Sequence, residues 1–237
     1  MSKINIFFGH LFEFREAIIK SLTIFLFIFV ALSLFSNNIY EFFSEPLLNQ
    51  LTNKNGTVIS TKLTATFIVP LKITAICSFI ASLPFIFYQL WKFVSPGLYK
   101  KERKLFGYLL ISGFWLFILG VIFVYLIIFP VIFKFFISMT PNNVDLMIDI
   151  SYYLDMIMSL FLAFGFAFQI PIFVFSSIRF KWIKLEFYNK NRPYIIVLAF
   201  IFGAIFTPPD IISQILLALA VLILYETGLI LSKKIMN

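Results

Sequence analysis

Long apolar runs, broken by short clusters of charge and proline, organise this chain. Thr23–Phe35 runs thirteen residues without a charge, and Phe106–Phe133 runs twenty-eight. The second exceeds the roughly 20 residues that cross a hydrocarbon core about 30 Å thick. In several segments the apolar residues lie on every side instead of on one stripe at a 3.6-residue period, as in a helix that has lipid for its solvent. Dividing the chain at its charged and proline-bearing breaks predicts six spans, near 17–36, 67–90, 106–133, 151–178, 194–208 and 211–231. Backbone amides in hydrocarbon must bond within their own segment, so helices are expected even where Phe and Ile abound. The expected fold is all-α: a polytopic membrane protein of six transmembrane helices, in a single integral membrane domain over 1–237. The fifth and sixth helices are expected to be short. Tyr194–Phe206 is only thirteen residues, about 20 Å long, and stops at Thr207-Pro208-Pro209-Asp210. Such a mismatch thins the lipid or is relieved by packing, so a locally thinned membrane is expected beside this hairpin.

Composition agrees. With 61% hydrophobic residues, 34 Phe and 13% charged residues, the chain carries more apolar surface than one soluble core can hide. The net charge of +8 is unevenly placed. With the N-terminus inside, 15 of the 19 basic residues fall on inner segments, and Lys54, Lys62, Lys72 and Lys134 fall outside. The positive-inside bias therefore predicts both termini in the cytoplasm. Lys3, Arg15 and Lys20 ahead of an apolar run resemble a signal peptide, but Ala17–Phe35 is long enough to span and is read as an uncleaved first helix. The longest loop, 37–66, is expected outside, with Glu45-Pro46-Leu47-Leu48 as an apolar turn at the membrane surface. Cys77, alone in an apolar stretch, offers no disulfide or cysteine metal site. One His, no His-Glu-x-x-His, no Gly-rich phosphate loop and no Gly-x-Ser-x-Gly leave catalysis unsupported. No enzyme, metal or cofactor is expected, and no soluble face exists for nucleic acid.

Several polar residues stand out. Glu13 and Glu16 favour the positive end of a helix, with Arg15 at lipid headgroups. Glu102 neutralises its basic neighbours, and Phe93 suits an interfacial anchor. Gln169, just before Ile170-Pro171, is placed either to bond a partner helix or to satisfy the carbonyl that Pro171 leaves unpaired. Asp155 suits the first turn of the fourth span, Asp210 suits a cap on the sixth, and Glu226 suits an acid near the inner interface.

His10-Leu11-Phe12-Glu13-Phe14-Arg15, Glu45-Pro46-Leu47, Pro84 with Tyr88-Gln89-Leu90-Trp91, Phe93-Val94-Ser95-Pro96-Gly97-Leu98-Tyr99-Lys100-Lys101-Glu102-Arg103, Arg192-Pro193-Tyr194 and Thr207-Pro208-Pro209-Asp210 with Ser213-Gln214 together resemble the TatC family of the twin-arginine protein translocase. The resemblance covers essentially the whole chain. It implies a concave, glove-like bundle in the bacterial inner membrane that recognises signal peptides bearing two adjacent arginines and serves as a core assembly platform for exporting folded proteins, driven by the proton-motive force. Glu13, Arg15, Phe93, Glu102 and Arg103 are the implied signal-binding residues. A guanidinium fork suits a carboxylate pair better than an ammonium does. Pro46, Pro84, Tyr125, Gln169, Asp210, Gln214 and Glu226 are implied in partner-helix contact or translocation. Implied partners are TatA and/or TatB, signal peptides of folded cargo, further copies of the chain and the bilayer. Gln169 departs from the family's usual Glu, and an amide cannot carry a charge or exchange a proton. A small-molecule or ion permease is the alternative; it needs ionisable groups near the midplane, of which the central spans hold almost none. A purely structural scaffold, indifferent to Glu13 and Glu102, is the third.

Overall fold

The computed structural model describes residues 3–51, 57–141, 147–207 and 210–236. His10 and Leu11 lie in a helix, but their side chains, that of Lys101, and all of Lys54, Asp145, Pro208 and Pro209 are outside the described residues. The described helices are α1 (Lys3–Ser33), α2 (Ser36–Leu51), α3 (Ala65–Val94), α4 (Lys100–Phe123), α5 (Phe129–Met139), α6 (Ile150–Ala167), α7 (Ile170–Arg179), α8 (Leu185–Lys190), α9 (Arg192–Phe206) and α10 (Ile211–Met236). Two three-residue strands, β1 (Thr57–Ile59) and β2 (Met147–Asp149), pair in parallel. Five stretches are long and apolar enough to cross a membrane: Phe12–Ser33, Ala65–Gly97, Glu102–Met139, Ile150–Arg179 and Ile211–Lys234. Arg192–Phe206 is the shorter sixth. The expectation of short helices thus holds for α9 alone. α10 has 26 residues, roughly 39 Å, because the helix continues beyond Leu231 through the basic turn of Lys233 and Lys234.

Chain contacts divide the molecule into two compact units, Met1–Glu41 with Phe67–Phe114, and Phe42–Thr66 with Trp115–Asn237. In the first, no residue of Phe12–Ser33 is buried, as befits a helix that is apolar on every side. α3 contains Pro70 and Pro84, yet continues through both. Thr74, Ser78 and Ser82 are buried on it at four-residue spacing, and their hydroxyls donate to the carbonyls of Pro70, Thr74 and Phe79 at 2.7, 2.6 and 2.8 Å. Buried hydroxyls satisfied within their own helix carry little desolvation cost.

The second unit has α6 at its centre, with Leu154, Ile157, Leu160, Ala163 and Phe164 fully buried. Small residues let the helices approach. A Cβ on Gly165 would lie 2.5 Å from the Phe117 ring, and one on Gly120 would lie 2.8 Å from the Phe164 carbonyl. The third span is interrupted by a π-helical turn, Val124–Ile128, before Pro130 opens α5. The fourth span is two helices, broken at Phe168–Gln169. Segment 37–66 departs from its expected form. Glu45-Pro46-Leu47-Leu48 lies within α2, not in a turn, and Leu47 is fully buried. The Tyr153 hydroxyl donates to the Phe43 carbonyl at 2.9 Å beside that proline.

Candidate functional site

α1 meets the end of α3 where the Phe14 and Phe93 rings lie 5.4 Å apart. Beside that contact a cavity of about 460 Å³ brings together Glu13, Glu16 and Lys20 of α1, Trp91, Lys92 and Phe93 of α3, and Arg103 of α4. Lys20 donates to Glu16 one helical turn away. The Arg103 guanidinium sits 5.0 Å above the Trp91 ring, a cation–π geometry that fixes the arginine at the cavity edge. Trp91 in turn lies against α4 because position 107 is glycine: a Cβ there would come 3.2 Å from Trp91 Nε1. Of the expected signal-binding set, Glu13, Phe93 and Arg103 are therefore gathered in one cavity, whereas Arg15 and Glu102 are absent from its lining. Glu102 Oε2 accepts the Tyr99 N–H at 3.2 Å. Its carboxylate reaches back from the first turn of α4 to the residue before the helix, half of a capping box, which the reading of Glu102 as a neutraliser of lysines missed.

The polar cavity opens onto an apolar groove of about 430 Å³ lined by Ile18, Leu22 and Phe25 of α1 and by Phe79, Ile86 and Leu90 of α3. Ala17, Gln89 and Phe93 line both. Carboxylates at one end and hydrocarbon at the other are thus joined along α1 and α3 of the first unit.

The remaining expected residues are dispersed. Pro84 lines a different groove, between α3 and α4. In the second unit Tyr125 stacks on Phe42 with ring centroids 5.6 Å apart and 6° between planes, so it meets α2, the helix that carries Pro46. Gln169 Nε2 reaches the Gly165 carbonyl at a long 3.5 Å. The Gln169 N–H has moved to the Phe166 carbonyl at 3.0 Å, so the carbonyl released is that of Gly165 and not the one vacated by Pro171. Asp155 is exposed in the second turn of α6; the cap there is Asp149, which accepts the Ser151 N–H at 2.7 Å.

Asp210 does cap α10, accepting the Ser213 N–H at 2.7 Å, while its Oδ2 and the Ser213 hydroxyl are buried without a partner among the described residues. Gln214 Nε2 donates to the Phe200 carbonyl at 3.1 Å across the α9–α10 hairpin. Gly203 makes room, since a Cβ there would stand 3.1 Å from Gln214 Cγ. Glu226, expected as an acid near the interface, accepts from Arg192 Nη2 at 3.0 Å.

One clasp had no signal in the sequence, its partners being 88 residues apart. Asp149 Oδ2 accepts both the Thr61 hydroxyl and, at 3.1 Å, the Thr61 N–H beside the β1–β2 pair. The Thr61 hydroxyl first, then the Ser151 N–H, hold the Asp149 carboxyl down at about 2.

A family model described as Sec-independent protein translocase protein (TatC) matches residues 9–219. The chain belongs to the TatC family. It is 40% identical over 224 residues to the Sec-independent protein translocase protein TatC of Haemophilus influenzae, covering 94% of this chain and 87% of that one. It is 39% identical over 227 residues to TatC of Escherichia coli K12, covering 94% and 86%. A crystal structure of the twin arginine translocase receptor TatC superimposes with a TM-score of 0.84 at 31% identity, over 96% of this chain and all of that one. The all-helical multi-pass TatC fold and membership of a Sec-independent protein translocase accordingly stand for this chain.

Proposed function

We propose that this TatC chain is the twin-arginine signal receptor of its translocase, reading the signal peptide through the joined cavity and groove of α1 and α3. The observation that carries this reading is the continuity across Ala17, Gln89 and Phe93: carboxylates open directly onto an apolar trough. A twin-arginine signal has the same order, two guanidinium groups followed by an apolar segment. Glu13 accepts one guanidinium, and Glu102 accepts the other from the adjacent first turn of α4. Lys20, Lys92 and Arg103 line the same cavity, so the lodged peptide needs the apolar trough for much of its affinity.

In this reading the N- and C-termini and the cavity face the cytoplasm of a bacterial inner-membrane protein, Gln169 is a polar docking point for a single-span TatA or TatB helix, and transport draws on the proton-motive force. The solved relative, named a twin arginine translocase receptor, supports the assignment.

The decisive experiment is site-specific photocrosslinking at Phe93 and Glu102 with paired Arg-Arg and Lys-Lys signal peptides. Strong labelling by the first and little by the second is expected, and equal labelling overturns the proposal. Glu13→Ala is expected to weaken binding about 10- to 100-fold, the worth of one charge-assisted hydrogen bond. Because Glu102 also holds the start of α4, Glu102→Gln is the informative change there: it keeps an acceptor for Tyr99 and removes only the charge.

A further inference from the structure

A second groove lies on the α3–α4 pair and has the opposite electrical character. It encloses about 670 Å³, with Lys100, Arg103 and Lys104 at one end and Trp91, Ile111 and Phe114 along its length. Among the described residues no Asp or Glu lines it, whereas the recognition cavity contains Glu13 and Glu16. Two guanidinium groups entering here would meet only like charge, so this groove is not a second seat for a cationic peptide.

Depth and polarity specify the occupant. The three basic residues are exposed and lie in the first five residues of α4, where a helix N-terminus adds its own attraction for anions. The apolar span begins at Glu102, so this end lies at the edge of the hydrocarbon. Ile111 and Phe114 are seven and ten residues beyond Lys104 on the same helix, about 10 and 15 Å deeper. Ile111 is 60% exposed, so the groove is open along its side. Arg103 is already held over Trp91 and needs no reordering to present its guanidinium. A ligand with an anionic head at the interface and a hydrocarbon body running inward matches every part of this lining.

The geometry points to this groove as the seat of one anionic phospholipid, its phosphate held by Lys100, Arg103 and Lys104 and an acyl chain lying against Trp91, Ile111 and Phe114. The site is separate from signal binding in its chemistry, although Tyr88, Trp91 and Arg103 line both hollows.

The test uses the full chain with a photoreactive residue at Ile111, reconstituted in vesicles of equal phosphatidylglycerol and phosphatidylcholine, with adducts identified by mass spectrometry. Basic residues at a membrane surface each contribute on the order of 1 kcal/mol toward anionic lipid, so phosphatidylglycerol adducts are expected to exceed phosphatidylcholine adducts by about tenfold or more. Lys100→Gln with Lys104→Gln should cut that ratio at least about fivefold. Should the double variant fail to fold, raising salt from about 0.05 M to about 0.5 M around the otherwise unaltered chain must lower the ratio. Equal yields of the two lipids overturn the proposal, as does a preference that survives both neutralisation and salt. So does capture at Ile111 of an added Arg-Arg peptide in place of lipid.

Discussion

α1 and α10 are both long apolar helices, of 31 and 26 residues, yet they are held in opposite ways. Nothing in the apolar span of α1 is buried, and its described ion pair, Lys20 with Glu16, lies within the helix itself. α10 is capped by Asp210 and tied to α9 by Gln214 and by the Arg192–Glu226 pair. Its Gly228 also meets α7 so closely that a Cβ would lie 2.9 Å from Pro171 Cα. Hydrophobicity alone places a helix in lipid. It does not join one helix to another there, because the surrounding tails are as apolar as the side chains. Joining is done by small residues and polar bonds, which α10 carries at Gly228, Asp210, Gln214 and Glu226.

Substitutions that remove those devices test the contrast. Gly228→Val forces the added side chain against backbone and should destabilise the protein by about 1–3 kcal/mol in detergent unfolding, whereas Phe27→Ala on exposed α1 should change it by less than about 0.5 kcal/mol. Gln214→Leu removes one interhelical hydrogen bond and should cost about 0.6 kcal/mol, with roughly 1.7 kcal/mol as the ceiling. The Arg192–Glu226 pair is 47% and 44% exposed on its two sides, so solvent screening leaves about 0.2–1 kcal/mol in a double-mutant cycle. A coupling near 3 kcal/mol would mean the pair is shielded and the contrast understated.

The Asp149 clasp gives the smallest and most local effect. Its carboxyl titrates at about 2 in the folded chain, below the ordinary 3.8. The support it lends is therefore complete above the ordinary value and disappears as pH falls from about 4 through about 2. Hydrogen exchange at Val58 should accelerate in that window and not between pH 5 and 8, and Asp149→Asn should flatten the response.

The parts of this molecule that follow local rules could be read from the sequence. Six apolar segments, a short fifth helix and the Asp210 cap all depend on neighbours in the chain. The family resemblance implies Glu13, Arg15, Phe93, Glu102 and Arg103 as one set, of which Glu13, Phe93 and Arg103 line one cavity; no local rule brings α1 beside the ends of α3 and α4. What escaped was tertiary. The Glu226 partner is 34 residues away and the Asp149 partner 88, distances at which sequence pattern carries no information. Pro46 suggested a turn because proline removes a helical hydrogen bond; in the fold, α2 continues through it with Leu47 packed inward. The bond from the Tyr99 N–H to Glu102 depends on where α4 begins, which the charges around Glu102 do not reveal.

The π turn at Val124–Ile128 sets the rotational phase of everything after it. One residue more in a turn is worth about 100° on a helix of 3.6 residues per turn. Phe129, Ile132 and Phe133 therefore come onto the same side as Phe117 and Val124, and all five are buried. Winding these five residues as ordinary α-helix would swing that aromatic stripe about 100° away from α6, whereas deleting one residue between 124 and 128 would let the turn close as ordinary α-helix and keep the stripe in phase. A one-residue gap is therefore better tolerated here than anywhere else in the span, where it would turn every later side chain by about 100°.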